Sequence, residues 1–211
     1  MNKSLFFFSV NRHQKQYFDS LLNTIKHNDN GISFHKRQLK SIVPSFIFDK
    51  YDLDLAYSAS DIRIKYFKNK TGRTASRLRA ILYFISSMFF LLKIKKLLAT
   101  NDFDLIVLWN DMKWHQLIIR KLAVRSAIKT AFFENGALPN TVTLDPVGVN
   151  FNNSIPRNRS YYEADITNGH DLICSTLTNS LNSYIFVPFQ VDYDTQIISH
   201  SPWIENMDGL Y

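Results

Sequence analysis

Short apolar runs that alternate with helix-period segments constrain this chain more than any other feature. Residues 5–10 (Leu-Phe-Phe-Phe-Ser-Val) form an apolar run too short for the core of a signal peptide and read as a buried strand. The next stretch, 14–26, places Tyr17, Leu21, Leu22 and Ile25 at helical spacing. A second strand is predicted at 32–35, then, beyond a basic middle segment, a long helix at 76–99, a buried strand at 104–109, a helix at 113–124 and a closing strand at 129–133. This order predicts an α/β fold, a Rossmann-like parallel sheet with helices on both faces, whose ligands sit beyond the carboxyl ends of the strands. Residues 11–14, 110–113 and 134–139 then emerge at one edge and line one cleft.

A chain of 211 residues with 45% hydrophobic and 14% aromatic side chains has the material for one substantial core or two small ones. Its net charge of +7 points to an anionic partner without choosing among nucleic acid, phospholipid headgroup and sugar nucleotide. One cysteine, Cys174, excludes an internal disulfide and a four-cysteine zinc site, which fits a reducing cytoplasm. The longest apolar stretch, 81–92, contains Ser86 and Ser87 and falls short of the roughly 20 residues that span a bilayer.

The most specific signal lies in 133–150, Phe-Glu-Asn-Gly-Ala-Leu-Pro-Asn-Thr-Val-Thr-Leu-Asp-Pro-Val-Gly-Val-Asn. Glu134 is predicted to end a strand, Asn135-Gly136 to make a turn that tolerates positive φ, and Asp145-Pro146-Val147-Gly148 to form a second turn. Two carboxylates on adjacent turns are the parts glycosyl chemistry needs, one to exchange a proton and one as nucleophile or charge stabiliser. Spacing alone leaves open that both acids merely cap turns, since Asp before Pro is common in loops.

Resemblance adds to this. Trp109-Asn110, Phe133-Glu134-Asn135-Gly136, Pro139, Thr141, Asp145, Gly148-Val149-Asn150, Ser154 and Pro156 are similar to the capsular polysaccharide biosynthesis family of retaining β-Kdo transferases. Val187-Pro188-Phe189-Gln190-Val191, Asp194-Thr195-Gln196-Ile197 and His200-Ser201-Pro202 resemble the opening of that family's second lobe. The resemblance implies a GT-B arrangement, with the glycolipid acceptor on the first lobe and CMP-Kdo held mainly by the second. It implies Asp145 as the nucleophile and Glu134 as general acid/base, with Asn135 and Asn150 positioning the donor or the carboxylates. Asn110, Gly136, Gln190, Asp194, His200 and Ser201 complete the implied binding set, with no metal and no cofactor besides the donor substrate CMP-Kdo.

The organisation expected from this is an acceptor-side lobe over 1–182 and the start of a nucleotide-sugar lobe over 183–211, opened by a strand at 183–189. The family's Lys-x-His-Pro run and later Ser and Glu do not appear before Tyr211. The chain is therefore expected to be a fragment, a truncated product or a lobe completed by another polypeptide, and inactive alone. An inactive remnant and a non-catalytic binding lobe are the alternatives.

Asp-x-Asp occurs at 52–54, 102–104 and 192–194, and three occurrences in one chain make the pattern an unspecific sign of metal. The six histidines lack ligand spacing, and no Gly-rich phosphate loop is present. Between Arg63 and Arg79 stand seven Lys and Arg with no acid, followed directly by the apolar run 81–92. This adjacency suits contact with the anionic inner-membrane surface by a peripheral, cytoplasmic protein, although a solvated basic face and a core helix explain it as well. No recognition motif accompanies the charge, so nucleic acid is not an expected partner.

Overall fold

The computed structural model describes residues 4–25, 30–136, 141–158 and Asp194. The predicted strand at 183–189, the lobe boundary, Cys174, Gln190, His200 and Ser201 lie outside the described residues. The elements run β1 (Ser4–Ser9), α1 (Arg12–Ile25), β2 (Asn30–His35), a 3-10 turn (Lys36–Ser41), α2 (Lys50–Thr71), α3 (Arg77–Ala99), β3 (Leu105–Trp109), α4 (Trp114–Arg125), β4 (Lys129–Asn135) and β5 (Val142–Asp145). They build one sheet of order β2-β1-β3-β4-β5, parallel except for β5. This is the expected Rossmann-like α/β fold with helices on both faces.

The apolar runs are continuous because both faces of the sheet are covered. Phe6, Phe8, Ile106, Leu108 and Phe132 point to the side of α2, α3 and α4, where Ala56, Leu91, Ile94, Ile118 and Ile119 pack. Leu5, Phe7, Val107, Trp109 and Phe133 point to the other side, against Phe18 and Leu22 of α1. Each fully buried phenylalanine contributes about 2 to 3 kcal/mol relative to exposure.

Helix α1 begins with a reciprocal cap: the Gln14 amide N–H donates to Asn11 Oδ1 (2.9 Å) and the Val10 N–H to Gln14 Oε1 (2.9 Å). The long helix α2 begins with another, between Asp49 and Asp52. The Asp52 carboxylate is buried and also binds Lys95 of α3 (2.5 Å), while Arg125 of α4 binds Asp49 (2.5 Å), so the Asp49–Asp52 capping pair, and not Asp54, ties three helices together. Asp104 likewise has a local task, accepting the Ser4 N–H (2.7 Å) beside β1.

Three differences from the sequence reading have clear causes. The basic middle segment is largely helical, forming α2. The side of α2 that faces its neighbours is lined by Leu55, Ala56, Ala59 and Ser60, which show no stripe of large apolar residues. The predicted strand 129–133 extends to Asn135 and does not close the sheet, because an antiparallel edge strand, β5, pairs with it. A four-residue strand with an exposed Leu144 carries little periodic signal. Finally, neither Asn135 nor Gly136 has a positive φ. Gly136 is required for another reason: a Cβ there would collide with the Thr141 side chain where the Gly136 N–H meets the Thr141 carbonyl (2.9 Å).

Candidate active site

The strand order reverses between β1 and β3. The connections after these two strands therefore leave to opposite sides at the carboxyl edge, which is where open α/β sheets hold ligands. Parallel β1, β3 and β4 bring residues 10–11, 110–113 and 134–136 to that edge, as the strand pattern predicted.

Asn110, just past β3, adopts a left-handed backbone (φ 69°). That bend leaves its N–H on the Phe133 carbonyl (2.7 Å) and turns its side chain across β4. The side-chain Oδ1 accepts the Met112 N–H (2.8 Å), so Nδ2 is the end that donates to Glu134 Oε2 (2.7 Å). Glu134 Oε1 accepts the N–H of Asn135 (2.9 Å). Glu134 is thus half-buried and oriented by two donors, neither of them charged.

Asp145 ends β5 opposite Phe132, while Glu134 lies opposite Thr143. Directly paired residues of a ladder share a face, and so do residues two apart, so Glu134 and Asp145 both lie on the α4 side as diagonal neighbours. Because β5 runs antiparallel, Asp145 is carried back from the carboxyl edge to the level of Phe132. Its Oδ1 accepts the N–H groups of Val147 (2.7 Å) and Gly148 (3.0 Å), and its Oδ2 those of the Ser154 amide (2.9 Å) and hydroxyl (2.6 Å). The carboxylate therefore closes the loop 145–154 on itself.

Burial by itself would raise the Asp145 carboxyl, but the Ser154 hydroxyl and the Ser154, Gly148 and Val147 amides outweigh it and hold the pKa at about 2. A folded-state pKa below the ordinary 3.8 means that this contribution to stability is fully present above about pH 4 and is lost as pH falls through about 2. A carbon-13 titration of the Asp145 carboxyl is expected to show that depressed midpoint, and Ser154→Ala to move it upward. An ordinary aspartate midpoint in the unmutated chain would show that the four bonds do not form together.

The loop is pinned to the sheet through a residue that the motif reading passed over. Asp111 is buried, and its Oδ2 accepts from Arg120 of α4 (2.8 Å) and from Asn152 Nδ2 (2.7 Å). Gly148 sits so close that a Cβ would lie 2.8 Å from that oxygen, 2.6 Å from Asn152 Cβ and 2.7 Å from its carbonyl oxygen. Asp111 Oδ1, Gln116 Oε1 and Ser9 Oγ are buried side-chain atoms without a hydrogen-bond partner at the same end of β1 and β3. The available signal for Asp111 was a polar pair, Asn110-Asp111, placed directly after a buried strand.

Of the remaining predicted site residues, Asn135 is exposed at the end of β4 and Gly136 follows it. Asn150 has a left-handed backbone (φ 51°) and is exposed, and its carbonyl accepts from Arg157 (2.6 Å). It belongs to the pinned loop and makes no hydrogen bond to Glu134 among the described residues. Asp194 is partly buried. No group of three or more His, Cys, Asp or Glu arranged to hold a metal ion is found among the described residues.

No protein-family model and no solved structure matches this chain. The chain is similar to Protein FixF of Sinorhizobium fredii (strain NBRC 101917 / NGR234), with 30% identity over 131 residues. The match covers 56% of this chain and 32% of the relative, so the chain spans about a third of the length of the curated protein it matches.

Proposed function

We propose that this chain is the acceptor-side lobe of a retaining glycosyltransferase that moves Kdo from CMP-Kdo onto a glycolipid in capsular polysaccharide biosynthesis. One observation carries the reading. Residues between Asn110 and Ser154 on which the family resemblance rests form two hydrogen-bonded groups on the paired strands β4 and β5. In one Asn110 orients Glu134, and in the other Asp145 gathers Gly148 and Ser154. The similarity to Protein FixF supports a distant relationship of this part of the chain to a longer protein.

In this reading Asp145, held anionic, attacks the anomeric carbon as the C–O bond to CMP breaks, forming an ester to the sugar. The acceptor hydroxyl then displaces Asp145 while Glu134 takes its proton, and two inversions give retention. Ser154 must release Oδ2 for the first step. Asn135, Gly136 and Asn150 are the proposed contacts to substrate near the carboxylates, and Gln190, Asp194, His200 and Ser201 the proposed contacts to the donor. The protein would work in the cytoplasm, where the nucleotide sugar is made.

The four hydrogen bonds on Asp145 also favour a second reading, in which this carboxylate only holds the loop and the lobe binds acceptor without catalysis. The test uses the protein as its gene encodes it, with the 211-residue chain beside it. CMP release and acceptor mass are followed after adding CMP-Kdo and a lipid-linked sugar. Asp145→Asn is expected to abolish transfer while leaving donor affinity largely intact. Turnover unaffected by that change would remove the nucleophile role, and no transfer to any glycolipid would overturn the transferase reading.

A further inference from the structure

We propose that the α2–α3 turn and the first three turns of α3 form a docking surface for an anionic lipid bilayer, with Leu78, Ile81, Leu82 and Ile85 entering the interface. This goes beyond the transferase reading and does not rest on it.

The apolar part is a face of α3 that the other described residues leave uncovered. Leu78 is 68% exposed, Ile81 and Leu82 55% each, Ile85 43% and Phe89 46%. Their spacing, i, i+3, i+4, i+7 and i+11, gathers them into one arc of about 100°. The opposite side of the same helix is already used: Ser87, Phe90, Leu91 and Ile94 are buried in the core. Exposed apolar residues scattered singly are ordinary, but a contiguous stripe along three turns marks a surface that meets something.

Charge decides what that is. No Asp or Glu occurs from Ile62 to Asn101. Lys68 and Lys70 in the last turn of α2, Arg73 in the connection, and Arg77 and Arg79 in the first turn of α3 are all exposed. The left-handed Gly72 (φ 64°) ends α2 abruptly, so both helix ends, and their cations, are brought together. The structure also narrows the basic segment. Arg63 is turned inward, stacked on Tyr83 (4.3 Å) and Trp114 (4.4 Å), and Lys65 pairs with Asp61 (3.0 Å). The exposed cations from 68 to 79 remain, with Arg79 lying over the Phe67 ring (4.0 Å) and Lys70 over the Tyr66 ring (5.7 Å).

A second copy of the chain would set these cations against their own kind, and a nucleic acid would answer the charge but not the apolar stripe. An anionic bilayer answers both: headgroup phosphates take the Lys and Arg while the stripe enters the acyl boundary. The helix lies on the membrane and does not cross it, since no helix among the described residues is long and apolar enough to span one.

The experiment is flotation of the 211-residue chain with vesicles of equimolar phosphatidylglycerol and phosphatidylcholine, or of phosphatidylcholine alone. Binding is expected with the first and not the second, weakening as salt rises. Arg77→Gln with Arg79→Gln is expected to lower partitioning about 25-fold, about fivefold per cation. Leu78→Gln, Ile81→Gln and Leu82→Gln together are expected to abolish it with an unchanged circular dichroism spectrum, because these side chains carry no core packing. Leu82→Trp is expected to give a blue-shifted emission quenched by brominated lipid, and the exposed control Tyr57→Gln to bind like the parent. Binding that the triple substitution leaves intact, or equal binding to both vesicles, would overturn the proposal. So would a dimer dissolved by the triple substitution without any vesicle binding, or tight binding to duplex DNA in place of vesicles.

Discussion

On the proposed transferase reading, Glu134→Gln is expected to lower sugar transfer by about 10²- to 10⁴-fold, the usual contribution of a positioned proton acceptor. The glutamine keeps the shape of the side chain, and its Oε1 still accepts the Asn135 N–H. The Asn110 Nδ2 contact survives only if the glutamine oxygen faces it, and one oxygen cannot serve both donors at once. One of the two hydrogen bonds at 2.7 and 2.9 Å is therefore lost, at a cost of about 1 kcal/mol in stability. The loss of transfer should thus be far larger than the loss of stability. Glu134→Asp separates position from charge: it restores the proton acceptor but withdraws it by one methylene, so partial activity is expected. Measured kcat and KM for the three forms, beside their urea midpoints, check this. Equal falls in activity and stability would mean that Glu134 only holds the β3–β4 edge together.

The second large effect concerns stability. Asp111→Ala is expected to cost about 3 to 5 kcal/mol, the range for breaking a buried ion pair by removing one partner. Arg120, with 24% of its side chain exposed, would keep its charge beside the core without the carboxylate 2.8 Å away, and Asn152 would lose its acceptor. Gly148→Ala attacks the same junction from the other side by overpacking, with an expected cost of about 1 to 3 kcal/mol. The two effects should be strongly non-additive, because either change alone frees the loop 145–157 from the sheet. Urea unfolding of the two single variants and the double variant measures that coupling. Strict additivity would show that Asp111 and Gly148 act on separate parts of the structure.

The legible part of this protein was everything with a short period. Residues 5–10 and 104–109 could be read as strands because burial on both faces demands nearly unbroken apolar runs, 129–133 because a short segment ends in the apolar Ala131, Phe132 and Phe133, and α1, α3 and α4 because their apolar residues recur every third or fourth position. From these runs follow the parallel sheet and the common edge of residues 110–113 and 134–136. Helix α2 was less visible because it packs through Ala56, Ala59 and Ser60, and β5 because an edge strand of four residues has one buried side at most.

The sequence by itself determined the fold class, the four parallel strands, and the placing of Glu134 at the end of one of them with Asp145 in a turn beyond it. The tertiary structure alone decided what those carboxylates touch. The bond from Asn110 to Glu134 spans 24 positions and that from Asn152 to Asp111 spans 41, and no local periodicity encodes a contact at such a distance. The same holds for direction. Asp145 reads as a turn acid in either case, and only the antiparallel pairing of β5 with β4 sets it on the α4 face, opposite Phe132, with all four of its hydrogen bonds drawn from its own loop. A run of side chains states which residues must be buried. It does not state which polar groups will meet once they are, because that depends on strands brought together across the whole chain.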